Sequence, residues 1–346
     1  MTTFALVKLS AEEIKEIKEF LVYPKAIVIF THRNPDGDAI GSSLGLRHYL
    51  EGLGHTVKVV LPSEYPPTFH FLKGVDDCLV FDLEANRCIE ELHKADLIVC
   101  LDFNALDRVD KLGPEILKAK GKKLLIDHHL DPEPFADHVF SDTEASSTCE
   151  MIYQFLELLG DEKKVDLAIG EALFTGLITD TGSFKYSTRP ETYKVAAALK
   201  SAGVDDYTLQ DRIHNTATEK QIRLLGHCLA NRLEVIPEYG AAIIALTKQD
   251  YVDFDISRGD TEGVVNYMLM MRGIEVAAFI REQPTIVKLS LRSKGDISVQ
   301  EICRNHFNGG GHKNASGGAA YAKLEDIVGR FKSVLPKYLK KRVPVT

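Results

Sequence analysis

The sequence lacks any uninterrupted apolar run of the about 18 residues that a membrane-spanning helix requires. Its N-terminal segment, MTTFALVKLSAEEIKEIKEF, also lacks the basic and then apolar order of a signal peptide. The six cysteines include no CxxC pair, and cysteines scattered in this way are typical of reduced thiols rather than of disulfides or zinc ligands. These absences predict a cytoplasmic protein that does not associate with a membrane.

The chain also has fewer positive than negative side chains, with 42 Lys and Arg residues against 50 Asp and Glu residues, and its net charge is −8. A protein that coats long nucleic acid needs clustered cations for the phosphates, so this class is disfavoured. A small anionic ligand in a local pocket stays compatible with the balance, and the surplus of carboxylates suits a divalent cation site. The 346 residues, 45% apolar and 27% charged, predict a globular protein of two domains.

The first part of the chain alternates short β-branched runs with longer helical patterns such as AIGSSLGLRHYLEGLG. Four runs read as buried strands, namely AIVIF (26–30), VKVVL (57–61), LIVCLD (97–102) and KKLLID (122–127). Such alternation predicts an α/β fold, with a parallel sheet and helices on both of its faces. In sheets of this kind ligands bind at the carboxyl ends of the strands.

The pattern changes near residue 196 and again near residue 228. Residues 196–227 are polar and helical, which predicts a helical linker. The strand-like runs GAAIIALTK, EVAAFIRE and TIVKLSLRSK then predict a smaller α/β domain with a mixed sheet. The expected organisation is therefore a first domain at 1–195, a linker at 196–227 and a second domain at 228–346.

The stretch THRNPDGDAIGS follows the first predicted strand directly. Asn, Pro, Asp and Gly are ordinary residues of a tight turn, and Gly37 is expected to permit its path. A turn alone explains neither His32 nor the presence of both Asp36 and Asp38. Chemically active side chains at the carboxyl end of a strand are the alternative interpretation.

Other predicted strands end in the same kinds of residue. Asp102 ends LIVCLD, the triplet 127–129 (Asp, His, His) ends KKLLID, and Asp180 follows the apolar helical run LAIGEALFTGLI. Carboxylates that converge in this way repel one another unless they bind cations. Two divalent metals resolve the conflict, and carboxylate and imidazole ligands favour manganese or a similar ion. The competing interpretation, that each acid caps a helix or closes a turn by itself, stays open for any single residue.

These segments carry a resemblance to a known family. HRNPDGDAIGS, LDFN, IDHH and ITDTGSF resemble, in order, the four motifs of the DHH phosphoesterase superfamily, and GGGHKNASGG resembles the signature of the DHH-associated C-terminal domain. The motifs extend over nearly the whole chain, and five of them in the right order are far more specific than any one alone.

The resemblance implies a ligand scheme for two metals. One metal is expected on His32, Asp36 and Asp102, and the other on Asp38, Asp102, His128 and Asp180. The implied catalytic residues are Asp102, Asp127 and His129, with Asp127 orienting a neighbouring imidazole and His129 contacting the substrate phosphate. Mn²⁺ is the expected metal, with Mg²⁺ and Co²⁺ as alternatives.

The resemblance also implies that the second domain binds the substrate. Backbone amides and side chains of the glycine-rich loop form the expected phosphate site, which comprises Gly309, Gly310, Gly311, His312, Asn314 and Ser316. Arg292 is expected to bind a phosphate through two nitrogens, unless it is a surface arginine of an edge strand. Closure through the linker is expected to complete the site.

The short two-domain members that this chain resembles are nanoRNases, which degrade RNA fragments of a few nucleotides to mononucleotides. Several of them also remove the 3′-phosphate of 3′-phosphoadenosine 5′-phosphate. The expected protein is thus a manganese-dependent phosphodiesterase and phosphatase that acts on short RNA or nucleotide 3′,5′-bisphosphates, not on long duplexes. Two alternatives remain: a phosphodiesterase of linear signalling dinucleotides (pApA, pGpG) and a nucleotide-sensing module without turnover. A homodimer is an ordinary expectation for such an enzyme.

Overall fold

The computed structural model describes residues 8–257 and 259–341. The chain divides into two compact units, Met1–Thr216 and Ala217–Thr346, and each unit contains one six-stranded sheet. Both units combine helices with their sheet, which confirms the predicted α/β class.

The sheet of the first unit is parallel throughout. Its strands are β1 (Ala26–Phe30), β2 (Thr56–Leu61), β3 (Leu79–Val80), β4 (Leu97–Leu101), β5 (Lys122–Asp127) and β6 (His138–Ser141). They lie in the order β3-β2-β1-β4-β5-β6. Strands β1, β2, β4 and β5 match the four predicted runs to within one residue.

Helices cover both faces of this sheet. They are α1 (Ala11–Phe20), α2 (Gly37–Gly52), α3 (Phe81–Lys94), α4 (Gly113–Lys118), α5 (Thr148–Leu159), α6 (Leu167–Thr181), α7 (Pro190–Ser201) and α8 (Asp206–His214). Alternate residues of β1 enter different cores: Ile27 and Ile29 pack in the cluster that contains α2, α5 and α6, whereas Val28 and Phe30 pack with α3 and α4. The predicted helices on both faces are thus confirmed.

The strand order positions the site. The chain winds outward from β1 through β2 to β3 in one direction, and from β4 through β5 to β6 in the other. A crevice opens at the carboxyl ends of the two central strands where the winding reverses, and α/β proteins bind ligands at such a point. His32 follows β1 and Asp102 follows β4, so both residues border this crevice.

The second unit has a mixed sheet, as predicted. Its elements are α9 (Glu219–Asn231), β7 (Leu233–Ile236), β8 (Ala241–Leu246), α10 (Lys248–Asp253), α11 (Val264–Leu269), β9 (Val276–Glu282), β10 (Val287–Ser293), α12 (Val299–His306), β11 (Gly310–His312), β12 (Ala315–Ala320) and α13 (Leu324–Tyr338). The strand order is β11-β12-β10-β9-β8-β7, in which β8 and β9 are parallel and the other neighbours are antiparallel.

The predicted linker is divided between the two units. Leu199 and Leu209, on α7 and α8, are buried in the core of the first unit. Leu224 and Cys228, on α9, are buried in the core of the second. Where one functional domain ends and the next begins therefore stays a prediction.

Two further features concern the whole chain. No helix among the described residues is both long and apolar enough to cross a membrane. All six cysteines are free and buried.

Candidate metal centre

The turn after β1 places three predicted ligands around the start of α2. Asp36 is the N-cap of this helix, and its Oδ1 accepts hydrogen bonds from the amides of Asp38 (3.0 Å) and Ala39 (3.1 Å). The sharp path is supplied by Asn34, whose φ is 55°. Gly37 is needed for another reason, because a Cβ there would lie 2.4 Å from the side chain of Thr179. The prediction that Gly37 shapes the turn is wrong; it lets the helix approach its neighbour.

Asp102 follows β4 immediately and lies at the centre of the site. Its backbone has φ 63°, in the left-handed region that few residues other than glycine adopt. The side chain is 3% exposed. Its Oδ2 lies 3.3 Å from His32 Nε2, and its Oδ1 lies 3.5 Å from His128 Nε2. One buried carboxylate therefore faces two histidines from different strand ends.

The end of β5 contributes two histidines and a buried acid. Asp127 Oδ1 lies 2.7 Å from Nδ1 of His129, and its Oδ2 accepts the His129 amide at 3.1 Å. The other histidine, His128, directs its Nε2 toward Asp102 and toward Asp180 Oδ2 at 3.4 Å. Asp127 thus contacts one imidazole while the next residue faces the centre of the cluster.

Asp180 reaches the cluster from the last turn of α6, which packs closely against α2. The approach depends on glycine, since a Cβ at Gly41 would lie 2.3 Å from the carbonyl oxygen of Ala172. Gly176 has the same function on α6, where a Cβ would lie 2.6 Å from Asp38 Oδ1. Close packing of these helices brings Asp38 and Asp180 to the same histidine, His128, which lies 3.9 Å from Asp38 Oδ2.

The structure brings all six predicted metal ligands together. Three sets each place one ligand atom per residue within 4.8 Å of the others: His32, Asp36 and Asp102; Asp38, His128 and Asp180; and Asp102, His128 and His129. The first two sets reproduce the two predicted groups, apart from the shared Asp102 of the second. A donor set of carboxylates and imidazoles suits divalent ions such as Mn²⁺, Mg²⁺ or Co²⁺.

The pKa values at the centre show how poorly the cluster accommodates its own charges. Burial, then repulsion from Asp102, raises the pKa of Asp38 to about 7. Burial, then repulsion from Asp38, raises the pKa of Asp180 well above its usual range. Burial opposes protonation of His32, but the neighbouring Asp102 and Asp36 outweigh it and raise the pKa of this imidazole to about 10. Bound cations replace these protons, so the electrostatics fit a metal centre.

One group of contacting residues was not predicted from the sequence. The first turn of α5 directs the amides of Thr148 and Cys149 at Asp38, and the Thr148 hydroxyl donates to Asp102 Oδ1 at 3.0 Å. A signal existed, because Ser147 and Glu150 have the spacing of a capping box and so indicate a helix start. Its contacts with Asp38 and Asp102 were not predictable, because these residues are distant in sequence from the start of α5.

The predicted phosphate residues of the second unit lie on and beside β10, β11 and β12. Arg292, on β10, is half-buried, and its Nη1 donates to the Leu291 carbonyl at 3.0 Å. In the register of the sheet Arg292 pairs with Ala315, which pairs in turn with His312. His312 and Arg292 therefore belong to one row across three strands; the side chain of His312 lies outside what the structure describes.

The glycine-rich segment is a β-hairpin, and the sheet itself requires two of its glycines. A Cβ at Gly309 would lie 1.9 Å from the Gly317 carbonyl, and Gly311 has φ 137°. At Gly310 an added Cβ meets no described atom within 4 Å, so this exposed glycine is the one of the three with space for a ligand.

The last two predicted substrate residues are partly or fully enclosed. Asn314 Nδ2 donates to Ser293 Oγ (2.8 Å) and to the carbonyls of Gly295 (3.0 Å) and Ile297 (3.2 Å), so this amide holds the loop after β10. Ser316 is buried, 3% exposed. Contact of either residue with a substrate stays a prediction.

Known families and proteins match this chain along most of its length. A model of the N-terminal domain of the DHH family matches residues 26–177, and a model of the DHHA1 domain matches residues 240–339. The bifunctional oligoribonuclease and PAP phosphatase NrnA of Thermus thermophilus is 32% identical over 293 residues, which cover 84% of this chain and 83% of that protein. The protein of the same name from Bacillus subtilis is 27% identical over 299 residues, covering 86% and 90% of the two chains.

A solved structure agrees with both the fold and the sequence. The crystal structure of an exopolyphosphatase-related protein from Bacteroides fragilis has a TM-score of 0.92 and 37% identity, and the match covers 95% of this chain and 97% of that one. The resemblance seen in the motifs is thereby confirmed. The chain belongs to the DHH family, with a DHHA1 domain after its DHH domain.

Proposed function

We propose that this chain is a metal-dependent phosphohydrolase that degrades short oligoribonucleotides to mononucleotides and removes the 3′-phosphate of 3′-phosphoadenosine 5′-phosphate. The observation that carries the proposal is the convergence of six ligand-type side chains at the point where the winding of the sheet reverses. The names of the relatives from Thermus thermophilus and Bacillus subtilis support the same substrates.

The proposed ligands form two sets that share one carboxylate. His32, Asp36 and Asp102 hold one ion, and Asp38, Asp102, His128 and Asp180 hold the other. When bound, two such ions activate water and neutralise the oxygens of an in-line phosphoryl displacement, and Mn²⁺ is the ion we propose. The chain itself keeps the ligands in place before any ion arrives, through the capping of α2 by Asp36 and the enclosure of Asp38 and Asp102.

His129 is the residue that we propose contacts the transferring phosphate. Its Nδ1 lies 2.7 Å from Asp127 Oδ1, and Asp127 is fully buried. An ionised carboxylate accepts hydrogen bonds only, so Nδ1 is the donor and the ring orientation is defined. When the ring carries a hydrogen on both nitrogens, Nε2 is the atom proposed to donate to a phosphate oxygen, where the positive ring stabilises negative charge.

In the second unit, Arg292 and the hairpin 309–316 are the proposed phosphate-binding residues. Arg292 has a planar guanidinium suited to a phosphate, and His312 shares its row in the sheet. Gly310 has the space for a ligand to approach the backbone. A ligand bound by one phosphate end suits short substrates better than long strands.

A turnover assay with added metal tests the function. The substrates are an RNA dinucleotide, a five-nucleotide RNA, a long single strand, 3′-phosphoadenosine 5′-phosphate, pApA, pGpG and pyrophosphate, each with Mn²⁺, Mg²⁺, Co²⁺ or a chelator. We expect the short RNAs and the bisphosphate to be hydrolysed fastest, and Mn²⁺ to support the highest rate.

Each other outcome has a defined meaning. Preference for the long strand or for pyrophosphate contradicts the substrate class, and exclusive turnover of pApA or pGpG favours the signalling-dinucleotide alternative. Binding of these compounds without turnover under any metal favours a sensor.

Two further properties belong to the same proposal. We place the enzyme in the cytoplasm. We also expect a homodimer, and light scattering of the purified chain measures the molar mass that tests it.

A further inference from the structure

The segment 142–149, which joins β6 to the first turn of α5, contacts the metal centre through its backbone. The amide of Thr148 donates to Asp38 Oδ2 at 2.6 Å, and the amide of Cys149 donates to Asp38 Oδ1 at 2.8 Å. The first amides of a helix have no partner within the helix, so they are available to an acceptor outside it. Both oxygens of a fully buried carboxylate are thereby fixed in one orientation.

The same segment contacts two more of the proposed ligands. The Thr148 hydroxyl donates to Asp102 Oδ1 at 3.0 Å, and the carbonyl oxygen of Ala145 lies 3.3 Å from His128 Nδ1. A carbonyl only accepts, so the Nδ1 of His128 must be the donor in that contact. Its Nε2, the atom that faces Asp102 and Asp180, then carries the lone pair in the neutral ring.

Behind the segment lies a buried carboxylate, Glu150, whose contacts point away from the metal centre. Its Oε2 accepts from the Ser146 hydroxyl and from the Thr192 hydroxyl, each at 2.6 Å. Its Oε1 lies 2.7 Å from Arg189 Nε and 2.6 Å from Arg189 Nη2. These contacts compensate for the burial of the carboxylate.

Arg189 connects the two ends of the segment. Its third nitrogen, Nη1, lies 2.8 Å from Asp142 Oδ2. One guanidinium therefore spans Asp142, where the segment begins, and Glu150, directly after it ends. Lysine cannot reproduce this arrangement, because it offers a single nitrogen in place of a planar fork.

We propose that Arg189 is a positioning residue for metal binding. By holding Asp142 and Glu150 it fixes segment 142–149, and this segment in turn orients Asp38, Asp102 and His128. The inference rests on the proposed metal site but not on the identity of the substrate.

Metal affinity, measured without substrate, tests the inference. Calorimetric titration of Mn²⁺ into the metal-free full chain compares the wild type with Arg189→Lys, which keeps the charge and loses the fork. Partners that orient metal ligands contribute about 10- to 100-fold in affinity, so a loss of about tenfold or more is expected. Turnover by Arg189→Lys should recover at saturating Mn²⁺, and circular dichroism of the metal-free variant checks separately that the fold is intact.

Two other variants complete the design. Thr148→Val removes only the hydroxyl that contacts Asp102 and should also weaken Mn²⁺ binding. Arg47→Lys is the matched control: Arg47 is similarly enclosed, 14% exposed against 19% for Arg189, and pairs with Glu51 on α2, away from the centre. Its Mn²⁺ affinity should equal that of the wild type.

The outcomes separate this inference from the proposed function. Wild-type Mn²⁺ affinity in a folded Arg189→Lys overturns the positioning role, even if short RNA is hydrolysed. Weakened affinity supports it, even if the substrate class proves wrong. Should Arg189→Lys not fold, Asp142→Ala decides, because it removes one contact of Arg189 and leaves the pair with Glu150. Unchanged affinity there likewise overturns the inference.

Discussion

At the scale of single residues, Asp102 combines an unfavourable backbone with a central position. A non-glycine residue with φ near 63° costs about 1–3 kcal/mol, although Asp and Asn tolerate this region better than most. The conformation persists because Asp102 is enclosed by His32, His128 and Thr148. This backbone conformation orients the Asp102 carboxylate toward the ligands of both proposed ions.

The variant Asp102→Asn isolates the role of the charge. Asn tolerates the same backbone, so we expect the far-ultraviolet circular dichroism to be unchanged. Turnover should fall by more than about 100-fold, since the loss of a ligand exceeds the 10- to 100-fold effect of removing a group that merely supports one. Steady-state kinetics with saturating Mn²⁺ measures the change. A rate near that of the wild type would contradict the two-metal proposal.

The pKa directions at the centre predict how metal binding depends on pH. The pKa values of His32 (about 10) and Asp38 (about 7) exceed the usual 6.5 and 3.8, so the metal-free protein holds protons that a metal must displace. The contribution of His32 to folding stability is complete below its unfolded pKa of 6.5 and is lost as pH rises through about 10. The contribution of protonated Asp38 is likewise complete below 3.8 and is lost as pH rises through about 7. Rising pH therefore weakens the metal-free protein and strengthens metal binding.

Thermal unfolding with Mn²⁺ and with a chelator, from about pH 6 to pH 9, checks this prediction. The difference between the two midpoints should widen as pH rises. A difference that stays constant or narrows would show that the buried cluster holds no exchangeable protons in this range.

How much of the centre is predictable depends on whether its residues carry a local signal. The proposed ligands follow buried strands or an apolar helical run, and the ends of parallel strands meet at one edge, so their convergence follows from the pattern. Arg189 has no such signal, because its partners Asp142 and Glu150 lie about 40 residues earlier and are brought near only by the packing of α5 and α7.

At the scale of helices and strands, the packing of α2 against α6 brings Asp38 and Asp180 together. Gly41→Ala places a methyl group 2.3 Å from the Ala172 carbonyl, which cannot move without disturbing α6. We expect a loss of about 1–3 kcal/mol in the free energy of unfolding. Gly52→Ala is the control in the same helix, since its Cβ would meet no described atom within 4 Å. Denaturant titration should show a destabilised Gly41→Ala and a Gly52→Ala that is unchanged or stabilised; equal effects would contradict the packing interpretation.

Strand prediction succeeded where side chains carry the pattern and failed where they do not. The apolar runs AIVIF and KKLLID predict β1 and β5 with their observed bounds. The sequence of the β11–β12 hairpin instead predicts a glycine-rich loop, because glycine has low strand propensity and offers no alternation to detect. At Gly309 the residue is glycine because Gly317 passes too close for a side chain.

At the scale of the molecule, the proposed metal ligands all lie in the first unit, whereas the proposed phosphate-binding residues Arg292 and 309–316 lie in the second. Arg292→Ala should raise KM about 10- to 100-fold, as expected for the loss of a charged hydrogen bond, and leave Mn²⁺ affinity unchanged. The exposed Arg304→Ala on α12 serves as the control and should alter neither quantity. Kinetics on an RNA dinucleotide and calorimetry with Mn²⁺ measure the two effects. An unchanged KM would remove Arg292 from the substrate site.

The α/β class and the sheet type of both units were predictable from the order of strand-like and helical runs. The compact unit that each of α7, α8 and α9 joins was not predictable, because the three helices look similarly polar in sequence. Their few buried residues, Leu199, Leu209 and Leu224 among them, decide which core each helix joins.

The six buried cysteines make the opening rate of each unit measurable, because each unit contains at least two of them. Burial raises the pKa of Cys78 to about 12, and that of Cys88, Cys228 and Cys303 to about 11, so a labelling reagent meets neither an accessible sulfur nor a thiolate in the native state. Modification must await an opening event, and its rate then reports that event. Because Cys228 and Cys303 belong to the second unit and the other four to the first, peptide mass spectrometry of a labelling time course resolves the opening of each unit in the unmutated protein.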